Sequence, residues 1–411
     1  MSEPNAAAID TEGYAVPHVS LGRLFLRFLR FGALAWGGPV AQIGMLRQEL
    51  VEQERWVSPA EFNRALAVYQ ALPGPEAHEL CVYFGQRARG RKGGVLAGLG
   101  FMLPGFVLMF ALSWLYVEQD VRVAGLAGVL GAVQIAVAAL IVRAVVRIGA
   151  HVITDRWLWG IALLASAAQL AGVHFGLVLA IAGAIYFAAT SGLRVFGWVL
   201  VALAAGGIAW QITSHGGLAG LDALSMPLAD LDQQVRVVSI PMLFWFGLKA
   251  GLLTFGGAYT AIPFVQRDAV VNGGWMSNGQ FLDGLALSGL LPAPLVIFAT
   301  FVGYLGGGPW GAVAMTAGMF LPAFAFTLLG HAALERLLQR PRVNRFLEGV
   351  TAGVVGLIVG TILALMKVSL TSPGALALFC VALAILFATR AKLAVPGLIL
   401  AAALWGALWP T

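Results

Sequence analysis

Three ionisable residues follow a pair of prolines inside an apolar stretch of the chain. In order the segment contains Pro73, Gly74, Pro75, Glu76, His78 and Glu79. Ionisable side chains in apolar surroundings are costly and usually functional. A desolvated carboxyl or an imidazole could take up and release a proton. The sequence therefore predicts a proton-coupling site at Glu76, His78 and Glu79, with a buried polar network that fixes helix packing as the alternative.

The prolines predict a broken helix, and the chain contains two such breaks. Pro73-x-Pro75 recurs as Pro292-x-Pro294, where only apolar residues follow. Proline lacks an N–H and clashes with the preceding turn, so two prolines two residues apart interrupt a helix. The half-helix after each break begins with free N–H groups and a positive dipole end, which favours an anion. A structural kink is the alternative, and paired breaks at matched positions weaken it.

Each half also contains a Gly-Gly pair that follows a cation. The predicted binding residues around these pairs are Arg30, Gly37, Gly38, Pro39, Gln42, Lys249, Gly256 and Gly257. Glycines permit close helix approach and irregular backbone. Arg30 and Lys249 together would neutralise a small dianion. The alternatives are snorkelling of Arg30 to the membrane interface and an ordinary interfacial helix end for Gln42.

These features recur because the chain contains an internal repeat. The segment around Trp36 matches the segment around Phe255 at one offset of 219 residues. Trp56 corresponds to Trp275, and the glycine and proline pairs correspond as well. A duplicated apolar chain is typical of a transporter built from two halves, whose paired interrupted helices mark the transport site.

Composition requires that these halves lie in a membrane. Sixty per cent of the 411 residues are apolar and 11% are charged, against about 25% charged residues in an average soluble domain. The sequence predicts an all-α polytopic membrane protein with about 13 transmembrane helices. The candidate spans are 24–46, 62–86, 93–117, 124–148, 157–172, 174–191, 195–213, 240–265, 281–306, 309–333, 346–368, 373–389 and 393–410.

Charge distribution predicts how the halves are oriented. Basic residues favour the cytoplasmic side, and alternating spans place 18 of the 25 Lys and Arg residues there, with the N-terminus in the cytoplasm. Positive-inside snorkelling explains Arg143 and Arg147. Six spans and one linking helix invert the second half, so we expect two inverted-topology repeats, each with a Pro-broken second helix. The predicted units are a disordered cytoplasmic tail 1–20, a first repeat 21–192, a linking helix with an external loop 193–236, and a second repeat 237–411.

Several function classes find no support in the residues. The two cysteines lie in apolar surroundings, so neither a disulfide framework nor a zinc site is expected. The scattered basic residues suit membrane loops better than nucleic acid. No sequence pattern for ATP hydrolysis, for a membrane hydrolase or for a cofactor is present, so we expect neither a metal nor a cofactor. The polar tail lacks the features of a signal peptide.

At its motifs the sequence resembles the chromate ion transporter family in its long two-domain form. The resemblance rests on GGP at 37–39, PGPEA at 73–77, FGQRARGRKGG at 84–94 and MLPGF at 102–106, and on TFGGAYT, LPAPL and FLPAF in the second half. The resemblance implies a bacterial cytoplasmic-membrane carrier that exports chromate, driven by the proton gradient, with sulfate as a related substrate. The lipid bilayer is then its surroundings, and homodimerisation is left open.

Two other classes remain open from the residues alone. One is an anion channel or an importer of sulfate or another oxyanion, built on the same fold. The other is a membrane enzyme that reduces chromate, which two buried cysteines and the lack of a cofactor motif disfavour.

Overall fold

The computed structural model is all-α. It describes residues 14, 16–17, 19–36, 38–118, 127–214, 237–255, 257–330, 336, 340–370, 372–389 and 394–408. Most of the predicted tail, the predicted external loop from 215 onward, Gly37 and Gly256 lie outside the described residues. Within the described part of the chain, the β-structure consists of one isolated antiparallel bridge, between Pro73 and Phe255.

The helices of the first half and the linking helix occupy residues 21–214. In chain order they are α1 (Leu21–Ala33), α2 (Gly38–Leu46) with a π-helical continuation (Arg47–Gln53), α3 (Pro59–Ala71), α4 (Glu76–Glu118), α5 (Ala127–Val152), α6 (Arg156–Leu170), α7 (Phe175–Thr190) and α8 (Arg194–Ser214).

The second half follows the same order. It contains α9 (Ile240–Leu252), a 3-10 turn (Ala258–Ala261), α10 (Ile262–Gln266) with a π-helical continuation (Arg267–Asn272), α11 (Asn278–Gly289), a 3-10 turn (Leu295–Ile297), α12 (Phe298–Ala325) with a π-helical end (Phe326–Gly330), α13 (Pro341–Ser369), α14 (Pro373–Ala388) and α15 (Ala394–Leu408).

Five of the described helices are long and apolar enough to cross a membrane. They are Glu76–Glu118, Gly128–Val152, Arg194–Ser214, Leu295–Gly330 and Pro341–Lys367, and shorter apolar helices accompany them. A lipid-embedded chain must satisfy its backbone polar groups internally, and helices do this. The protein is therefore a multi-pass membrane protein, as its composition predicts.

The predicted first span of each half folds back on itself instead of crossing. Arg27 and Arg30 of α1 form ion pairs with Glu49, at 3.1 and 3.3 Å, on the π-helical continuation of α2. Residues near the start of the segment thus meet residues near its end. Lys249 of α9 pairs in the same way with Asp268 at 2.6 Å. Segments 24–46 and 240–265 are helical hairpins whose tips, which we call the glycine-pair tips, lie beside Gly38 and Gly257.

The predicted second span of each half is also a hairpin, with the proline break at its tip. Glu61 at the start of α3 accepts a hydrogen bond from the Tyr83 hydroxyl at 2.7 Å and pairs with Arg87 at 3.0 Å. In the second half the Trp275 indole N–H donates to the Val302 carbonyl at 3.2 Å. Segments 62–86 and 281–306 therefore double back, so the structure does not reproduce the predicted thirteen crossings. Pattern reasoning missed the reversal because apolar composition is the same for a crossing helix and a buried hairpin.

A tight turn inside α4 and α12 then sends the chain into a long helix. Gly90 and Gly308 both adopt φ of 62°, in the left-handed region that favours glycine. After this turn, α1 packs closely on the long part of α4, and α9 packs on the long part of α12. A Cβ built on Gly32 would lie 2.2 Å from the Phe101 carbonyl oxygen, and one on Gly251 would lie 2.4 Å from that of Met319.

We call α1 to α4 the first hairpin unit and α9 to α12 the second hairpin unit. Residues of the first unit from Leu24 to Phe101 form a separate hydrophobic cluster, whereas Met109 and Tyr116 near the end of α4 belong to a larger one. The second unit shares a larger cluster with α5 and with α13 to α15. Close glycine contacts join α13 to α6 and α7, at Gly356 and Gly349. The predicted domain boundaries stay predictions. The two units contribute unequally to the large hydrophobic cluster.

Candidate functional site

The tip of one hairpin from each unit meets at a seam between the units. The Gly74 N–H donates to the Thr254 carbonyl at 2.9 Å, and Pro73 forms the isolated bridge with Phe255. Gly74 has φ of 153° and Gly257 has φ of 112°. The proline break of the first half therefore lies against the glycine-pair tip of the second half.

Each proline break also touches the long helix of the other unit. A Cβ built on Gly74 would lie 3.3 Å from the Ala323 Cβ, and one built on Gly105 would lie 2.3 Å from the Ala293 Cβ. Gly74 matches Ala293 in the repeat, and Gly105 and Ala323 occupy equivalent places in α4 and α12. These two contacts are reciprocal, and they hold Pro73, Pro75, Pro292 and Pro294 at the seam.

The three ionisable residues after the first break occupy different environments. α4 begins at Glu76 because the Pro75 carbonyl accepts from the N–H groups of His78 and Glu79, at 2.8 and 3.1 Å. Glu76 is partly exposed, and its Oε1 atom lies 3.8 Å from the Cβ position of Gly257 across the seam. Glu76 therefore faces the second unit.

His78 and Glu79 are fully buried. Among the described residues, no hydrogen-bond partner reaches the ring nitrogens of His78 or the carboxyl oxygens of Glu79. The His78 ring packs against Phe324 and Phe320, with centroids 4.7 and 5.0 Å away. The charge of an ionised Glu79 would be uncompensated there, which is costly in a low-dielectric interior. His78 therefore lies on the side of α4 that contacts α12, and the Glu79 Oε1 atom lies 2.8 Å from the Cβ position of Gly74.

The two predicted cations are each paired within their own half. The Arg30 side chain is 62% exposed and shares Glu49 with Arg27. Lys249 is 22% exposed and its partner Asp268 is 1% exposed, and the ammonium also lies 5.1 Å from the centroid of the Phe246 ring. The two pairs match each other at the offset of 219, so the sequence contains a signal for both ion pairs. Joint neutralisation of a dianion by Arg30 and Lys249 stays a prediction, and it requires each cation to exchange a carboxylate for the anion.

The remaining predicted binding residues lie in the glycine-pair tip of the first half. Gly38 and Pro39 begin α2, and Gly38 has φ of 77°. Gln42 is buried and donates through its side-chain amide to the Ala35 carbonyl at 2.9 Å. Gln42 thus closes its own hairpin tip. Gly37 and Gly256 lie outside the described residues.

Sequence reasoning missed one buried carboxylate, Asp283 on α11. It accepts hydrogen bonds from the Tyr116 hydroxyl at 2.7 Å and from the Gln134 amide at 2.6 Å. These contacts tie α11 of the second half to α4 and α5 of the first. The matched position in the first half is Arg64, so the repeat gave no signal. Within the described part of the chain, no cluster of three or more His, Cys, Asp or Glu residues could hold a metal ion.

Comparison with known proteins gives one consistent family. The family model described as chromate transporter matches residues 22–210 and again 242–407. A chromate transport protein of Pseudomonas aeruginosa is 53% identical over 409 residues, which is 98% of this chain and 96% of the relative. A chromate transport protein of Cupriavidus metallidurans is 31% identical over 96% of this chain and 94% of the relative. A probable chromate transport protein of Synechococcus elongatus is 30% identical over 96% of both chains. No solved structure matches.

Proposed function

The chain belongs to the chromate transporter family, and from that membership we propose that it is a secondary active carrier that exports chromate across the cytoplasmic membrane, driven by the proton gradient. The family is one of transporters, not of enzymes. The observation that carries the proposal is the family match in both halves, whose hairpin tips meet at Gly74 and Thr254.

The oxyanion is proposed to bind at the seam, between the two proline breaks and the two glycine-pair tips. Interrupted helices offer free N–H groups and positive dipole ends to an anion, and irregular backbone survives at this depth only inside protein or against water. Glu76 is the proposed proton carrier because it is partly exposed and faces Gly257 across the seam. His78 and Glu79, which are buried directly behind it, are proposed to complete the proton site.

The two halves are proposed to be inverted repeats, each with two re-entrant hairpins and four crossings, joined by α8. A re-entrant hairpin leaves the chain on the side where it entered, so four crossings and one linking crossing still invert the second half. This arrangement places Arg47 and Arg55 on the same side as Arg23, in agreement with the ion pairs between α1 and the continuation of α2. The side proposed for the N-terminus is the cytoplasm.

Cysteine labelling with a membrane-impermeant reagent tests this topology. Single cysteines at Arg23 and Arg55 should label from the same side, and one at Asn272 should label from the opposite side. Labelling of positions 23 and 55 from opposite sides would show that the first hairpin crosses the membrane.

Chromate transport by the purified protein in proteoliposomes tests the function. With an imposed pH gradient we expect chromate to accumulate against its concentration gradient, and an uncoupler should abolish the accumulation. Sulfate and molybdate serve as competing oxyanions. Downhill flux that ignores the uncoupler would indicate a channel, and flux in the import direction would indicate an oxyanion importer. Absence of chromate flux in both directions would refute chromate transport.

A further inference from the structure

A cavity lies at the start of α13, and arginines form most of its lining. Its volume is about 540 Å³, and the described residues that line it are Arg340, Pro341, Arg342, Val343 and Arg345. Pockets that bind small ligands have volumes of about 300–1,000 Å³. The cavity is therefore large enough for a small anionic group, and its lining is positively charged.

The end of a neighbouring helix fixes one of these arginines in place. The Arg345 guanidinium group donates to the Thr190 carbonyl at 3.0 Å and to the Ser191 hydroxyl at 3.5 Å, where α7 ends. One turn further along α13, a Cβ built on Gly349 would lie 2.5 Å from the Ala182 carbonyl oxygen, so α13 and α7 are in close contact. The cavity therefore lies beside the contact between two helices.

The positive charge of the cavity is compensated only in part. Arg340 and Arg342 are exposed, and within the described part of the chain neither of them forms an ion pair. α13 contains one acidic residue, Glu348, which follows Arg345 by three positions and accepts from the Asn344 amide at 2.7 Å. Three arginines against this one carboxylate leave two positive charges that an anionic ligand could neutralise.

The cavity also lies at the end of helices that are suited to a membrane. Both α13 and α8 are long and apolar enough to cross one, and α8 begins at Arg194, three residues after Ser191. The residues that follow these arginines expose apolar side chains, since Val195 is 80%, Phe196 is 54% and Phe346 is 40% exposed. In a membrane protein such side chains contact the acyl chains of lipids. Cationic and lipid-facing residues are therefore adjacent at this end of the molecule.

Arginines at the ends of membrane helices are common, because they snorkel to the interface and favour the cytoplasmic side. Snorkelling requires neither a shared cavity nor a bond to another helix, whereas here three arginines line one cavity and Arg345 also bonds to α7. Guanidinium groups bind phosphate oxygens through paired, charge-assisted hydrogen bonds. Basic pockets between membrane helices bind the headgroups of anionic lipids.

We propose that Arg340, Arg342 and Arg345 form a binding site for the phosphodiester headgroup of an anionic phospholipid. The acyl chains of this lipid lie along the exposed apolar side chains of α8 and α13, and its headgroup holds the start of α13 to the end of α7. The inference goes beyond the proposed carrier function, because lipid binding requires neither chromate nor a proton gradient.

The test measures equilibrium binding of lipids to the full-length protein purified in detergent, by native mass spectrometry. Phosphatidylglycerol should bind more tightly than zwitterionic phosphatidylcholine by about tenfold or more, and Arg340→Gln/Arg342→Gln should raise the phosphatidylglycerol Kd by about tenfold or more, since hydrogen bonds to two charged groups are lost. Arg91→Gln/Lys92→Gln is the matched control, because it removes two charges from exposed residues that do not line the cavity. The control should leave the Kd of both lipids unchanged.

Soluble competitors distinguish a lipid site from a site for free phosphate. Inorganic phosphate and glycerophosphoglycerol, which lacks acyl chains, should not displace phosphatidylglycerol at millimolar concentration, and displacement by either would refute a lipid site. Equal binding of the two lipids, or an equal loss in the control, would show that the cavity does not recognise the headgroup. If the double arginine variant does not fold, Arg342→Lys keeps the charge and loses the paired donors. An unchanged phosphatidylglycerol Kd in Arg342→Lys would contradict the assigned guanidinium contact.

Discussion

The two hairpin units have the same backbone architecture and differ in their side chains. Both contain two hairpins, a turn at a glycine with φ of 62°, and a glycine packed against the carbonyl of a long helix. After the break, however, the first unit has Glu76, His78 and Glu79 where the second has Leu295, Ile297 and Phe298. The duplication therefore preserved the scaffold and left the ionisable groups on one side of the seam.

The asymmetry extends to the backbone at the seam. The Thr254 carbonyl accepts from Gly74 across the units, whereas the matched Ala35 carbonyl accepts from Gln42 inside its own hairpin. If the two halves were exactly symmetric, the Ala35 carbonyl would accept a second hydrogen bond across the units. The Gln42 side chain donates to that carbonyl instead. Most of the first unit, from Leu24 to Phe101, also has a separate hydrophobic cluster, although Met109 and Tyr116 of α4 belong to the large core that contains the second unit.

The largest expected difference between the halves concerns proton coupling. Glu76→Gln should abolish proton-driven chromate accumulation while downhill exchange continues, because the amide keeps the shape of the side chain but cannot carry a proton. Leu295→Gln, at the matched position of the second half, should leave accumulation near the level of the unmodified protein. The measurement is chromate uptake into proteoliposomes with and without a pH gradient. Full pH dependence in Glu76→Gln would refute the assignment.

The second largest expected difference concerns the stability that the ion pair of each half contributes. Lys249→Ala leaves Asp268 buried without its cation and should cost about 3–5 kcal/mol of stability. Arg30→Ala should cost less than about 1 kcal/mol, because the side chain is exposed and Arg27 still holds Glu49. Unfolding in detergent by denaturant measures both. The double variant Lys249→Ala/Asp268→Ala should recover much of the loss, and if it also exports chromate normally, Lys249 does not bind substrate.

Helix packing should behave alike in both halves. Gly32→Ala and Gly251→Ala would each place a methyl group within 2.4 Å of a backbone oxygen, so each should destabilise by about 1–3 kcal/mol. Gly22→Ala, which has no atom within 4 Å of the new Cβ, is the control. Thermal unfolding compares the three variants. A loss in one half alone would show that the shared packing is not equally important in the two units.

The smallest effect concerns a backbone turn that glycine occupies in only one half. Arg55 adopts φ of 53°, and the matched Gly274 adopts φ of 61°. Left-handed backbone costs a non-glycine residue about 1–2 kcal/mol, so Arg55→Gly should be neutral or stabilising, by up to about 1 kcal/mol. Gly274→Ala should destabilise by a similar amount although nothing crowds its Cβ. If neither variant shifts the unfolding midpoint, the backbone of the turn relaxes to an unstrained conformation and this prediction is wrong.

Much of the fold followed from the sequence. The repeat, the membrane class, the two proline breaks and the glycine-pair tips are all visible in residue types and spacing, because proline and glycine act on the backbone locally. The pairing of Arg30 with Glu49 was also within reach, since both residues recur at the same offset as Lys249 and Asp268.

Tertiary structure decided where those local features are located relative to one another. Segments 24–46 and 62–86 are apolar enough to cross a membrane, yet ion pairs and hydrogen bonds between their two ends fold each into a hairpin. Asp283 is visible in the sequence, but its hydrogen bonds to Tyr116 and Gln134 depend on which helices pack around α11. An apolar pattern shows that a helix can lie in a membrane or in a protein core. Only the packing of segments that are distant in the chain determines which of its charged groups are paired.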